Sequence, residues 1–255
     1  MFTPDLLSGR VALVTGASSG LGRHFAQRLA QHGATVVIAA RRVDALAALA
    51  DELAAQGATA HAVALDVREP ASVERAIADS VSRAGRIDIL INNAGVALTK
   101  PALLTTDADW RSVIDTNLDG AFRVARAVAQ AMADARRGGS IVNIASILAL
   151  RVAKQLPAYV AAKAGLLKLT EALALEWAPQ AIRVNALAPG YIETELNRDF
   201  LRSPAGESLG KRVALRRFGQ PADLDGALML LASDAGRYMT GATLVVDGGH
   251  SLAWL

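Results

Sequence analysis

The chain has no cysteine among its 255 residues, which excludes a disulfide framework and any thiolate nucleophile. Histidine is scarce as well. The four, His24, His32, His61 and His250, show no metal-ligand spacing, and no metal is expected. Aromatic residues are 4% of the chain, and basic residues cluster only as short Arg pairs. Without a basic patch interleaved with aromatics, nucleic acid is not an expected partner. No apolar run reaches membrane-spanning length without Gly, Pro or charge, so no membrane partner is expected. The start, Met1-Phe2-Thr3-Pro4-Asp5, lacks the basic and apolar regions of a secretory signal, and a soluble cytoplasmic protein is the expectation.

What the chain does have is apolar material for a large core: 52% hydrophobic residues against 20% charged. Short apolar runs at residues 11–15, 34–40, 59–65, 87–91, 140–145, 182–187 and 243–246 read as strands. Helical patterns lie between them, at 43–56, 70–84, 107–134 (as two stretches), 158–177 and 221–233. Gly57 and Gly85 close two of these. The strands are continuously apolar rather than alternating, which argues for a parallel sheet covered on both faces. No Pro- or Ser-rich linker divides the chain. One doubly wound α/β domain over 1–255 is therefore expected.

The first strand runs into Thr15-Gly16-Ala17-Ser18-Ser19-Gly20-Leu21-Gly22 and then into a helical pattern. Gly16 can take a positive φ, and Gly20 and Gly22 let a ligand backbone or a strand come close. The N-terminus of the following helix offers free N–H groups and a positive dipole end, which suit a dinucleotide pyrophosphate. Read alone, the turn also fits a plain βα connection packed by glycines. The other unusual clusters follow strand ends too: Arg41-Arg42, Asp66-Val67, Asn92 to Gly95, Ser146 and Pro189-Gly190. In open parallel sheets, ligands bind at that rim.

Tyr159 and Lys163 are four apart at a helix start and share a face. A phenol has an ordinary pKa of about 10, and a cation one turn away favours its phenolate. Ser146, thirteen residues earlier, ends the fifth strand and can share a substrate oxygen with Tyr159. Asn117 interrupts an apolar helical pattern, where an amide bends a helix or holds a water. Each has a plainer reading: a packed Tyr beside a solvated Lys, a turn serine, a satisfied helix amide.

In this order, Thr15-Gly16-x-x-x-Gly20-x-Gly22, Asp66, Asn92-Asn93-Ala94-Gly95, Asn117, Ser146, Tyr159-x-x-x-Lys163 and Pro189-Gly190 resemble the short-chain dehydrogenase/reductase family over nearly the whole chain. Within it, the chain is similar to 3-oxoacyl-carrier-protein reductases and related bacterial carbonyl reductases. The resemblance implies a Rossmann-like fold and an NAD(P) cofactor. It implies Tyr159 as proton donor to a carbonyl, Ser146 as partner of that oxygen, and Lys163 lowering the Tyr159 pKa and holding the nicotinamide ribose. Asn117 would position a relay water. The turn residues Gly16, Ser18, Ser19, Gly20, Leu21 and Gly22 would seat the diphosphate. Asp66 and Val67 would meet the adenine, Asn93, Ala94 and Gly95 would line its ribose, and Pro189, Gly190, Ile192 and Thr194 would reach the nicotinamide side. A homotetramer is implied, with Trp254 packing between subunits.

NAD enzymes usually carry an acidic residue at the end of the second strand. Here Ala39-Ala40 leads into Arg41-Arg42, and guanidinium suits a 2′-phosphate. NADP is expected, with NAD possible, because Ser19 stands where many NADP-preferring relatives have a base. Residues 191–215 would form a substrate lid whose Arg198, Arg202, Lys211 and Arg212 either meet an acyl-carrier or CoA phosphate or are simply solvated. The expected activity is reduction of a β-oxoacyl compound or small ketone. The alternatives are a sugar-alcohol or steroid dehydrogenase using NAD, and a non-catalytic cofactor sensor.

Overall fold

The structure is a computed structural model that describes residues 3–195 and 197–252. Trp254, expected at a subunit contact, lies outside the described residues. Seven parallel strands form one sheet: β1 (Val11–Thr15), β2 (Thr35–Ala40), β3 (Ala60–Ala64), β4 (Ile89–Asn92), β5 (Gly139–Ile144), β6 (Ile182–Pro189) and β7 (Thr243–Val246). Their order across the sheet is β3-β2-β1-β4-β5-β6-β7. The order reverses between β1 and β4, so connections leave that point in opposite directions and open a crevice there.

The helices are α1 (Gly20–Gln31), α2 (Val43–Ala55), α3 (Pro70–Ala84), α4 (Asp107–Ile114), α5 (Gly120–Asp134), α6 (Pro157–Trp177), α7 (Arg198–Leu201), α8 (Pro204–Gly210) and α9 (Asp225–Ala232). Alternate residues of each strand feed two separate cores, as continuous apolar runs require. Ala12, Val14, Val36, Ile38 and Ile91 pack against Phe25 and Leu29 of α1, Leu46, Leu49 and Leu53 of α2, and Leu228 of α9. Val11, Leu13, Val37 and Leu90 face the opposite way, onto Ile77 of α3, Val124 and Val128 of α5, and Leu173 of α6. Each such Val, Ile, Leu or Phe side chain contributes roughly 1.5–3 kcal/mol when fully buried.

Two departures from the expected helices matter. The two helical stretches expected over 107–134 are present as α4 and α5, but no plain loop separates them. A π-helical segment, Asp115–Asp119, joins α4 to α5, and Asn117 sits at its centre. The expected 221–233 helix begins as a 3-10 turn at Pro221–Leu224 before α9. The 191–215 stretch is largely irregular, as expected, with only the short α7 and α8. Among the described residues, no helix is long and apolar enough to cross a membrane.

Candidate active site

All seven strands run the same way, so their C-terminal ends share one rim. At the centre of that rim lies a cavity of about 430 Å³. From the first loop it is lined by Gly16, Ser19, Gly20 and Leu21, and beyond β4 by Asn93 and Gly95. Ser146, Tyr159 and Lys163 form one wall, and Pro189, Gly190, Ile192 and Thr194 another. Residues far apart in the sequence are thus brought to one place.

The glycines divide into two kinds. A Cβ at Gly22 would stand 2.3 Å from the Gly16 carbonyl oxygen and 2.5 Å from Asn93 Nδ2, so Gly22 is required by the protein's own packing. Gly190 is similar, since its Cβ would meet Asp247 at 2.7 Å. Gly20 differs. Its φ is +55°, and a Cβ there would find only Thr194 Cγ2, at 4.0 Å. Its open side faces the cavity. No side chain caps the N-terminus of α1, and its first turn holds no acidic residue. That arrangement fits an anion such as a diphosphate.

Thr15 locks the loop after β4 to β1. Its Oγ1 accepts from Asn93 N at 2.9 Å and Ala94 N at 3.0 Å, while Asn93 Nδ2 donates to Thr15 O at 2.9 Å. Asn93 and Ala94 are thereby committed to holding the crevice in shape. A buried polar chain lies beneath. Asn92 Nδ2 donates to Ala121 O at 2.8 Å and to Asn143 Oδ1 at 3.1 Å, and Asn143 Nδ2 donates to Thr170 Oγ1 at 2.9 Å. It ties β4, β5, α5 and α6 together below the reactive groups. Asn143 and Thr170 carried no motif that sequence reasoning weighed, and Thr15 entered only as the first residue of the glycine-turn motif.

The Asn117 amide bonds Val96 through both its oxygen and its nitrogen. Its Oδ1 accepts from Val96 N at 2.8 Å and its Nδ2 donates to Val96 O at 2.7 Å. The side chain therefore anchors the loop after β4. A Cβ at Gly95 would lie 3.3 Å from Asn117 Oδ1 and 3.6 Å from Lys163 Nζ, so these two groups flank the same point.

Lys163 is 5% exposed, and its Nζ donates to Ile144 O at 2.7 Å. An ammonium has three donors. The other two have no partner among the described residues. Burial alone lowers its pKa to about 8. The Nζ lies 5.7 Å from the centre of the Tyr159 ring. In the chain by itself, the Tyr159 hydroxyl does not show the lowered pKa that the motif suggested. Burial pushes it up, the nearby Tyr191 adds to the rise, and only the Ser146 hydroxyl opposes it. The Lys163 ammonium, itself desolvated and bonded to Ile144 O, makes no hydrogen bond to the phenol oxygen among the described residues. Ser146 is also the turn serine of its plainer reading: its Oγ accepts from Leu148 N at 3.1 Å. That bond uses a lone pair and leaves the hydroxyl hydrogen to donate.

On the β1–β3 side the expected residues are placed differently. Arg42 reaches back to the first loop, with Nη2 donating to Ser19 Oγ at 2.7 Å and to Ser18 Oγ at 3.0 Å. Arg41 is exposed and contributes to lowering the Asp66 pKa. The Asp66 carboxylate is taken by Arg68, whose side chain and backbone N–H both donate to it, at 2.6–3.3 Å. Val67 is buried against Gly120, where a Cβ would stand 2.7 Å from Val67 Cγ2. Of the lid cations, Arg198 and Arg202 pair with Glu193 and do not enter the site. Tyr191 does enter it, a residue sequence reasoning left inside the lid. Its place directly after Pro189-Gly190 was the available signal.

The sequence matches the family described as Enoyl-(Acyl carrier protein) reductase over residues 16–251. It is 39% identical to D-threitol dehydrogenase of Mycolicibacterium smegmatis, covering 96% of this chain and 94% of that one. The chain belongs to the short-chain dehydrogenase/reductase family. It is 38% identical to the 3-oxoacyl-[acyl-carrier-protein] reductase FabG of Escherichia coli, over 94% of this chain and 97% of that one. The crystal structure of a gluconate 5-dehydrogenase from Burkholderia cenocepacia, in complex with NADP and tartrate, superposes with a TM-score of 0.94 at 40% identity, covering 98% of each chain. This short-chain dehydrogenase/reductase is thus an oxidoreductase of alcohols and ketones.

Proposed function

We propose that the protein interconverts a ketone and a secondary alcohol with NADP(H), the reduced direction acting on a β-oxoacyl compound or small ketone. One observation carries this: Ser146, Tyr159 and Lys163 converge on the cavity whose other end is the open side of Gly20. When bound, the dinucleotide supplies or accepts the hydride. Gly20, Leu21 and the uncapped start of α1 hold its diphosphate. Asn93, Ala94 and Gly95 line the adenosine side, and Pro189, Gly190, Ile192 and Thr194 the nicotinamide side. Asp66 and Val67 border the adenine.

Tyr159 protonates the carbonyl oxygen in reduction and takes that proton back in oxidation. Its raised pKa keeps it protonated at neutral pH, as an acid needs to be. Ser146 donates to the same oxygen and stabilises the developing alkoxide. Lys163 turns its two remaining donors toward the ribose and toward the path by which the proton is replaced. Asn117 keeps that path in shape by fixing Val96. Arg42, held across Ser18 and Ser19, and Arg41 beside it present guanidinium to a 2′-phosphate. The absence of any acidic residue at the end of β2 favours the same cofactor.

A second activity has support of its own. D-threitol dehydrogenase and FabG stand at nearly equal identity, so oxidation of a polyol ranks beside reduction of an oxoacyl group. The test measures nucleotide consumption with NADPH and NADH against β-ketoesters, acetoacetyl-CoA, diketones and ketosteroids, and NADP and NAD reduction against polyols. Faster turnover with NADPH on a ketoester supports the first reading. A preference for NADH sinks the cofactor assignment, and turnover of polyols alone sinks the substrate class. Assembly as a homotetramer belongs to the same proposal and is read by light scattering.

A further inference from the structure

The catalytic cavity does not end at Ser146. Through Ile147, Leu148 and Tyr191, which line both, it adjoins a second cavity of about 900 Å³. Known ligand pockets span about 300–1,000 Å³, so this space is large enough for a ligand segment of its own. Its body is apolar, from Leu150, Val152 and Leu209 among others. Three cations also line it, Arg151, Lys154 and Arg212, and among the described residues no Asp or Glu does.

These cations come from two separate segments, one beyond β5 and one beyond α8. Among the described residues none of the three pairs with a carboxylate, whereas Arg198, Arg202 and Arg217 of the same region all do. Arg151 Nε is fixed by Ser251 O at 2.8 Å, which holds its guanidinium in place beside the cavity. His250 packs against Tyr191 with the rings tilted at 43° and their centres 5.5 Å apart. Burial holds its pKa below the ordinary value and Arg212 adds to that, against Asp247. The positive charge at neutral pH therefore rests on the two arginines and the lysine. Like charges around an apolar space repel one another, and an anion seated among them relieves that repulsion.

We infer that the substrate is a carbonyl or alcohol compound carrying an apolar segment that ends in an anionic group, carboxylate or phosphate, seated on Arg151, Lys154 and Arg212. The inference rests on the oxidoreductase reading for the placement of the reacting carbon beside Tyr159. The probes are 4-oxopentanoate, 5-oxohexanoate and 7-oxooctanoate, each with its neutral methyl ester, and a methyl ketone of matched length ending in phosphate. Wild-type protein should show a kcat/KM at least about tenfold higher for the preferred anion than for its ester, the effect of one charge-assisted contact. Arg151→Ala, Lys154→Ala and Arg212→Ala should each raise KM for the anion, with kcat and the ester's KM changed less than about twofold. Comparison of the carboxylate and phosphate arms identifies the group. Arg151→Lys and Arg212→Lys should recover part of the loss. Calorimetric titration of the same compounds reads binding whether or not they turn over. Esters and anions binding and reacting alike, or variants that weaken both equally, overturn the inference while leaving the oxidoreductase reading intact. Anion binding that depends on the three cations, without turnover of any compound, supports the anion seat and counts against the oxidoreductase reading.

Discussion

The two halves of the rim are built on different principles. On the β4–β6 side the polar groups are buried and bonded inward: Asn117 to Val96, Lys163 to Ile144, Asn92 to Asn143 and onward to Thr170. On the β1–β3 side they are exposed and bonded sideways, Arg42 onto two serines and Asp66 onto Arg68. Buried polar groups left without partners cost about 1–3 kcal/mol each, so the first half is held to one geometry. Exposed pairs are worth about 0–1 kcal/mol, so the second half can change partners cheaply. Chemistry that needs fixed atoms sits where geometry is fixed. Discrimination between two similar nucleotides sits where side chains are free to be exchanged.

Substitutions on the two sides should therefore fail differently. The largest effect is expected from Tyr159→Phe, which removes the proton donor and little else. Turnover should fall by about 10²–10⁴-fold, the usual contribution of a general acid, while nucleotide binding by fluorescence titration is retained. Unaltered turnover would remove Tyr159 as the acid.

Next comes the pH dependence of stability. Lys163 has a pKa of about 8 in the folded chain against 10.5 for an ordinary lysine. Between those values the unfolded chain binds more protons, so stability rises with pH across that window. The cost of burying the ammonium is fully present below pH 8. Wild type minus Lys163→Met, measured by denaturant titration from pH 7 to 10.5, should show that rise, on the order of 3 kcal/mol in total. Parallel curves would contradict it.

Asn117→Ala leaves Val96 N–H and C=O without the amide. A loss of about 2 kcal/mol in stability and a lower kcat are expected, because the loop beside Lys163 is released. Arg42→Ala should do neither. It should lower kcat/KM for NADPH about tenfold relative to NADH, with denaturation unchanged, as loss of one charged contact would. A stability loss in Arg42→Ala as large as in Asn117→Ala would erase the contrast between the two sides.

The same contrast explains what was legible in the sequence. Strands, layers and the rim followed from apolar runs and glycines, since those respond to burial alone. The reactive set was legible because its spacing is short or its residues end strands. The π-helical segment was not, because one extra residue per turn leaves the apolar period of 107–134 nearly intact. Nor was the Thr15–Asn93 lock or the Asn92–Asn143–Thr170 chain, whose partners meet only across strands and layers. The Asp66–Arg68 pairing spans two residues, yet nothing in the sequence says whether Asp66 turns to Arg68 or to a ligand. Likewise, the Tyr159–Lys163 spacing showed a shared face but not that burial would raise the phenol's pKa with only the Ser146 hydroxyl opposing it.

The most direct measurement is a crystal structure of the protein with NADP and a slowly reacting ketone. The Tyr159 and Ser146 hydroxyls should both lie within hydrogen-bond distance of the ketone oxygen, with the carbonyl carbon over the reactive carbon of the nicotinamide. A Tyr159 hydroxyl turned away from that ring, with no room for a ketone between them, would contradict it.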